Sequence, residues 1–180
     1  KQKAQFMTIF YALGAILALF VLVVVTRPDD FRITRSLAIA APASAIFPQV
    51  NNLHNFNTWN PWAKIDPHAK NVFEGPSEGV GALMRWDGNN EVGSGSMTNM
   101  ESRTNEYIQF KMEFLKPMPA THTADFTFKQ EGNQTVVTWS MYGKNNFMGK
   151  AVSLIMNCDK MVGGQFEKGL LNLKTIVEKK

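Results

Sequence analysis

The chain has 180 residues, 44% of them hydrophobic, and a formal net charge of +4. That charge is spread along the chain, with no Lys/Arg cluster interleaved with aromatics, so nucleic acid is excluded as a partner class. The single cysteine, Cys158, excludes an internal disulfide and a cysteine zinc site; at a helical position it serves as a small hydrophobe.

Phe6 to Val25 carries no charged residue. About 20 helical residues span about 30 Å, the thickness of a bilayer's hydrocarbon core. The competing reading is a cleaved secretory signal. The run is longer than an ordinary signal core, and Thr26-Arg27-Pro28 follows it in place of a small-x-small site. Residues 1–26 are therefore expected to form a single-pass membrane anchor that contacts the lipid bilayer through Phe6–Val25. Lys1 and Lys3 precede the span, and Arg27, Arg32 and Arg35 follow it. A long domain crosses whatever its charge. The expectation is a cytoplasmic N-terminus at a bacterial inner membrane, with residues 27–180 as one extracytoplasmic domain.

Pro28 stops the helix, because proline disfavours helical geometry in the residue before it. Phe31 to Ala40 then alternates, with Ile33, Leu37 and Ile39 on one side and Arg32, Thr34 and Ser36 on the other, which predicts a half-buried strand. Arg35 falls on the apolar side, at a strand end or paired. Ala41 to Ser44 opens a short helix limited by Pro48, and Asn51 to Trp59 predicts a second. Trp59-Asn60-Pro61-Trp62 reads as a packed corner, or as the wall of a pocket mouth. Asp66-Pro67 marks a turn.

Strands follow in succession over Val72–Glu74, Val80–Trp86, Glu91–Glu101, Tyr107–Leu115, Thr121–Lys129 and Thr135–Tyr142, separated by turn signals. The alternation is cleanest in Tyr107–Leu115, where Ile108, Phe110, Met112 and Phe114 share a face. His122, Ala124, Phe126 and Phe128 share a face of the next strand, and Val137, Trp139 and Met141 share one of the last. Phe147 to Glu178 then predicts a long amphipathic helix. Its stripe is Met148, Val152, Ile155, Val162, Phe166, Leu170, Leu173 and Val177, in steps of three and four apart from one gap. Gly163-Gly164 reads as close packing with the sheet or as a weak point where the helix bends.

The expected fold class is α+β: an antiparallel sheet of about six to seven strands curved around the long C-terminal helix, preceded by one transmembrane helix. A sheet that wraps a helix without closing fully leaves a cavity. Strand parity and the helix stripe direct Trp86, Phe110, Met112, His122, Phe126, Trp139, Met141, Ile155 and Phe166 toward it, and the Trp59–Trp62 corner adds Trp62, as candidate ligand-pocket residues. The methionines would suit an adaptable apolar pocket.

The segments Arg27–Ser36, Ile39–Pro42, Trp59–Trp62, Asp66-Pro67, Glu74–Pro76, Gly79–Gly81, Lys160–Gly163, Phe166–Leu170 and Leu173-Lys174 resemble the START-like, SRPBCC superfamily, in its polyketide cyclase/dehydrase and lipid-transport branch. The likeness covers residues 27–178. It implies a helix-grip fold with a hydrophobic pocket between sheet and helix. Members share a cavity and not a set of catalytic residues, so the resemblance leaves activity open.

Catalytic signatures are sparse. His54, His68 and His122 lack ligand-like spacing, so neither a metal nor another cofactor is expected. No Gly-x-Ser-x-Gly elbow is present. Gly93-Ser94-Gly95-Ser96 lacks the ending of a phosphate loop and falls in a predicted strand, where glycine marks a bulge or a close backbone approach. His122 reads as a hydrogen-bonded strand-end histidine, or as a polar group that orients a ligand; Arg85 and Asp159 are weaker candidates. Three functions follow: a membrane-anchored, non-catalytic binder of a hydrophobic small molecule or lipid; an accessory subunit of a larger integral-membrane complex; or, ranked last, a cyclase- or dehydratase-type enzyme.

Overall fold

The alternating segments pair with their neighbours into a sheet, and the striped segment that ends the chain lies on it. The computed structural model describes residues 2–179. In chain order the elements are α1 (Gln2–Thr26), β1 (Asp30–Ile39), α2 (Ala43–Asn51), α3 (Leu53–Trp59), α4 (Trp62–Ile65), β2 (Lys70–Glu74) and β3 (Leu83–Asp87). Next come β4 (Ser94–Arg103), β5 (Tyr107–Lys116), β6 (Ala120–Glu131), β7 (Gln134–Lys144), α5 (Phe147–Ile155) and α6 (Cys158–Glu178). The chain divides into two units, Lys1–Phe31 with Lys144–Cys158 and Arg32–Gly143 with Asp159–Lys180.

In the first unit, α1 packs on α5. Asp29 closes this contact: its carboxylate pairs with Lys150, and its carbonyl accepts from the Asn145 N–H at 2.8 Å. Lys150 also holds the Asp29 carboxyl below the ordinary range, chiefly through its own hydrogen bond to the carboxylate. Asn146 caps α5, its side chain accepting from Gly149 N–H at 2.9 Å. Among the described residues, α1 is the one helix long and apolar enough to cross a membrane. Most of its described side chains, including Phe6, Phe10, Leu13 and Leu17, are exposed, whereas Val24 is buried. Length and composition of this kind suit a membrane span and a signal sequence alike.

The second unit is built on a seven-stranded antiparallel sheet in the order β1-β7-β6-β5-β4-β3-β2. Helices α2 to α4 carry the chain from one edge strand to the other. Asn52 ends α2 and caps α3, its side chain accepting from the N–H groups of His54 and Asn55 at 3.0 and 3.2 Å. Strands β3 and β4 are shorter at their starts than the alternation predicts. Gly79 and Gly81 at positive φ break the extension before Leu83. Residues 91–93 turn instead of pairing, because the Asn89 side chain accepts from the N–H groups of Glu91 and Val92.

One face of the sheet is covered by α6, whose buried residues Gly163, Phe166, Gly169, Leu170, Leu173 and Val177 form its inner stripe. Phe166 stacks on Trp139 with ring centroids 4.2 Å apart and planes 11° from parallel. Phe126 continues the stack beneath Trp139 at 4.8 Å. Gly169 lets α6 come close: a Cβ there would meet the Trp139 ring and Pro61.

The expected single helix over Phe147–Glu178 is two. Met156 ends α5 in an extended conformation, and α6 begins at Cys158. The break coincides with the one gap in the apolar stripe, between Ile155 and Val162. Gly163-Gly164 does not interrupt the helix. Gly163 faces Arg35, whose guanidinium occupies the space a Cβ would need. Arg35, on the apolar side of β1, is paired: it donates to Asp159 at 2.9 Å and to Glu167 at 2.6 Å. Asp159 and then Glu167 hold it firmly protonated, and Asp159 is held below the ordinary carboxylate range in return.

These contacts separate the effects of two helix glycines. A Cβ at Gly164 meets open space, so Gly164→Ala should raise stability by up to about 1 kcal/mol through helix propensity. Gly169→Ala gains the same propensity but overpacks Trp139 and Pro61, at a cost of about 1–3 kcal/mol, and should be net destabilising. Urea unfolding of both variants checks this. Equal effects would contradict the close approach of α6 to Trp139.

Candidate functional site

Between the covered face of the sheet, the α3–α4 corner and the first half of α6 lies a cavity of about 280 Å³. Of the ten residues expected to line it, Trp62, Trp86, Phe110, Met112, Phe126, Trp139, Met141 and Phe166 do so. His122 and Ile155 do not. Ile155 ends α5 and is 79% exposed, because the helix break takes it off the stripe that α6 continues. His122 lies near the start of β6, where its ring sits 5.8 Å from that of Phe114 and against Gly143 of β7.

The two tryptophans of the corner take different parts. Trp59 is fully buried, and its indole N–H donates to the Gln49 carbonyl at 2.8 Å, so it is packing. Trp62 is half-buried, lines the cavity, and sits edge-on to Trp139 and Phe166. Gly95 serves the cavity indirectly: a Cβ there would strike the Trp86 indole, so the glycine of Gly93–Ser96 makes room for an aromatic wall. Trp86 in turn packs edge-on against Phe114.

Further wall residues are Phe56, Met84, Met97, Phe114 and Val162. Strand parity already placed Phe114 with Phe110 and Met112, and Met84 with Trp86, so these two were within reach of the sequence. The polar part of the lining had no such signal. It consists of Asn57, Asn60, Asn71, Glu91 and Lys116. The Asn71 amide donates to Asn57 at 3.5 Å, and the Asn60 side chain accepts from Trp62 N–H at 3.0 Å. Of the lining residues only Glu91, Lys116 and Pro117 are exposed; these mark the mouth. The Asp66 carboxylate steadies it by accepting from Asn89 N–H at 2.7 Å and from His68 N–H at 3.1 Å.

A second polar group lies on the opposite sheet face and plays no part in the lining. Asp125 is buried there, and burial pushes its carboxyl up against hydrogen bonds with Ser140 and Tyr142 that favour the charged form. The Arg85 side chain pairs with Glu74 at 3.0 Å on the exposed surface. Among the described residues, no group of His, Cys, Asp and Glu is arranged to hold a metal ion.

A curved antiparallel sheet gripping one long helix over an apolar cavity defines the helix-grip class of α+β proteins. Residues 30–178 match the family described as polyketide cyclase / dehydrase and lipid transport, and the chain belongs to that family. None of the curated proteins matches it in sequence. Solved structures share its fold. The Aha1 dimer from Colwellia psychrerythraea is 18% identical with a TM-score of 0.57, over 82% of this chain and 96% of that one. Protein MLL2253 from Mesorhizobium loti is 10% identical with a TM-score of 0.62, over 83% and 98%. The di-domain ARO/CYC BexL from the BE-7585A biosynthetic pathway is 18% identical with a TM-score of 0.61, over 88% of this chain and 53% of that one. At these identities the likeness shows the fold alone.

The position of His122 has a measurable consequence. Burial lowers its pKa, against a backbone hydrogen bond at Thr121 that acts to raise it. Below the ordinary histidine value of about 6.5, the unfolded chain therefore binds more protons than the folded one. The stability contribution is complete above that pH and falls as pH drops through it. Asp125, with its raised pKa, contributes the opposite slope in the carboxylate range. The urea midpoint should fall between about pH 7 and about pH 5, and His122→Gln should flatten that part of the profile. An unchanged slope in the variant would show that His122 is not the group responsible.

Proposed function

We propose that the domain binds one apolar small molecule, of the lipid or quinone type, in the cavity between sheet and α6, and that α1 tethers it to a membrane. The observation that carries this is the lining: mostly aromatic and methionine walls with three asparagines, and with the exposed charges Glu91 and Lys116 confined to the mouth. Ligand pockets of about 300–1,000 Å³ with few polar groups are the usual sites for small apolar guests. At about 280 Å³ the space suits a compact guest and is too small to enclose a two-chain lipid whole. Met84, Met97, Met112 and Met141 provide walls that adapt to shape. The Asn57–Asn71 pair, Lys116 and Glu91 would orient a polar end. No acid/base pair is assigned a role, so the proposal is for binding and not turnover; family membership and the ARO/CYC neighbours make cyclase chemistry the outcome to test against it.

Native mass spectrometry of the full chain in mild detergent should show one apolar adduct. Met141→Trp should abolish the adduct while leaving the far-ultraviolet circular dichroism unchanged, since the added ring fills the cavity. A bare mass in every preparation, with no uptake of added quinone or fatty acid, would refute the proposal. Chemical conversion of an added polyketide would replace it with the enzymatic reading.

A further inference from the structure

The three asparagines of the cavity lining are not equivalent. Asn57 and Asn71 answer one another, the Asn71 amide donating to the Asn57 side chain at 3.5 Å. Asn60 stands directly after α3, where its backbone N–H closes that helix on the Phe56 carbonyl at 3.0 Å. Its side chain turns forward and accepts from the Trp62 N–H, also at 3.0 Å. A backbone N–H can only donate, so the atom it meets is Oδ1, and this fixes which way the amide points. Nδ2, with its N–H donors, is left over. Among the described residues it has no acceptor. Asn60 is nevertheless buried, at 8% exposed, and it lines the cavity. Nδ2 is not sealed within protein either, so the space that it meets is the cavity.

A buried donor is costly unless something accepts from it. The rest of the lining narrows what can do so. Among the described lining residues the charged ones are Glu91 and Lys116, both exposed at the mouth. A carboxylate drawn in to Asn60 would therefore be buried without a cation, which is unfavourable. A hydrocarbon would leave Nδ2 unanswered. A ketone or quinone oxygen accepts from it and brings no charge. Phe56 and Trp62 line the cavity together with Asn60, so aromatic surface accompanies the donor, and such surface suits a flat ring.

We infer that Asn60 is a specificity-determining residue of the cavity, and that the guest is a neutral carbonyl compound, a ring ketone or quinone, whose oxygen accepts from Asn60 Nδ2. This rests on the cavity as a binding site and names the class of guest; it does not depend on α1 as an anchor. The Trp62 N–H is what makes the choice possible. An amide free to turn over would offer a guest either end, whereas this one offers only its donor.

The test is equilibrium dialysis of the full chain in mild detergent, with detergent alone as the blank. Three bicyclic probes of similar size are compared: α-tetralone, its parent hydrocarbon tetralin, and the matching tetralin carboxylic acid at about pH 8, where the acid is ionised. Asn60→Ser keeps a hydroxyl that accepts from the Trp62 N–H and lacks Nδ2. It should weaken tetralone about tenfold, as loss of one hydrogen bond does, and leave tetralin unchanged. Asn60→Asp, which keeps Oδ1 and has no donor when ionised, should weaken tetralone at least as much. The acid should be the weakest of the three with the wild type. The infrared carbonyl stretch of tetralone bound to the wild type should lie below its value in a hydrocarbon solvent. Tetralone affinity unchanged in Asn60→Ser would mean that water serves the amide as well. That result, an equal fall for tetralone and tetralin, an unshifted stretch in the wild type, or tightest binding of the acid overturns this inference and leaves the cavity as a binding site. No probe retained above the blank by the wild type overturns the binding reading, and this inference with it.

Discussion

The stack of Phe166 on Trp139, with Phe126 beneath, is where helix and sheet are joined, and the rest of the domain is arranged around it. On the C-terminal side of Phe166, α6 is seated by Gly169, Leu170, Leu173 and Val177, all buried. On the N-terminal side it roofs the cavity through Val162. One helix thus does two jobs along its length. Close packing of the second half supplies the hydrophobic stabilisation, since each fully buried large apolar side chain contributes about 1.5–3 kcal/mol. The first half has few such contacts, because the space beneath it is left open.

What holds that first half is charge. Arg35 reaches from β1 to Asp159 and Glu167, two turns of helix, and Gly163 clears its path. Both carboxylates are well exposed, and ion pairs of that kind contribute little to stability. Their effect is positional: they register the roof of the cavity against β1 without filling the cavity. A hydrophobic clamp at the same place would need side chains in the volume that is open.

The same division appears among the polar groups. Several buried ones are paired within the frame. Asn51 accepts from Asn99 and Ser102 at 3.3 and 2.7 Å and so ties the end of α2 to β4 at its bulge. The charges of the lining stand at the mouth, where water can solvate them. The frame is common to proteins as different in name as Aha1 and an ARO/CYC, so what distinguishes this chain must lie in its walls, its mouth and the apolar helix ahead of them.

Hydrophobic periodicity made much of this legible. Alternation in β5, β6 and β7 determined which side chains face α6, and hence Phe110, Met112, Phe126, Trp139 and Met141 as walls. The uncharged run of α1 was equally plain. Parity, however, says which face a residue is on, and not how far along the sheet an open space extends. His122 shares the face of Phe126 yet lies outside the cavity lining, its ring against Phe114 and Gly143. Spacing alone carried Ile155 onto the α6 stripe, but only the folded chain shows that the helix breaks at Met156. The partners of Arg35 and the exposure of Glu91, Lys116 and Pro117 at one sheet end were likewise decided in three dimensions. They join residues far apart in the chain, and no local pattern records which distant side chains will meet.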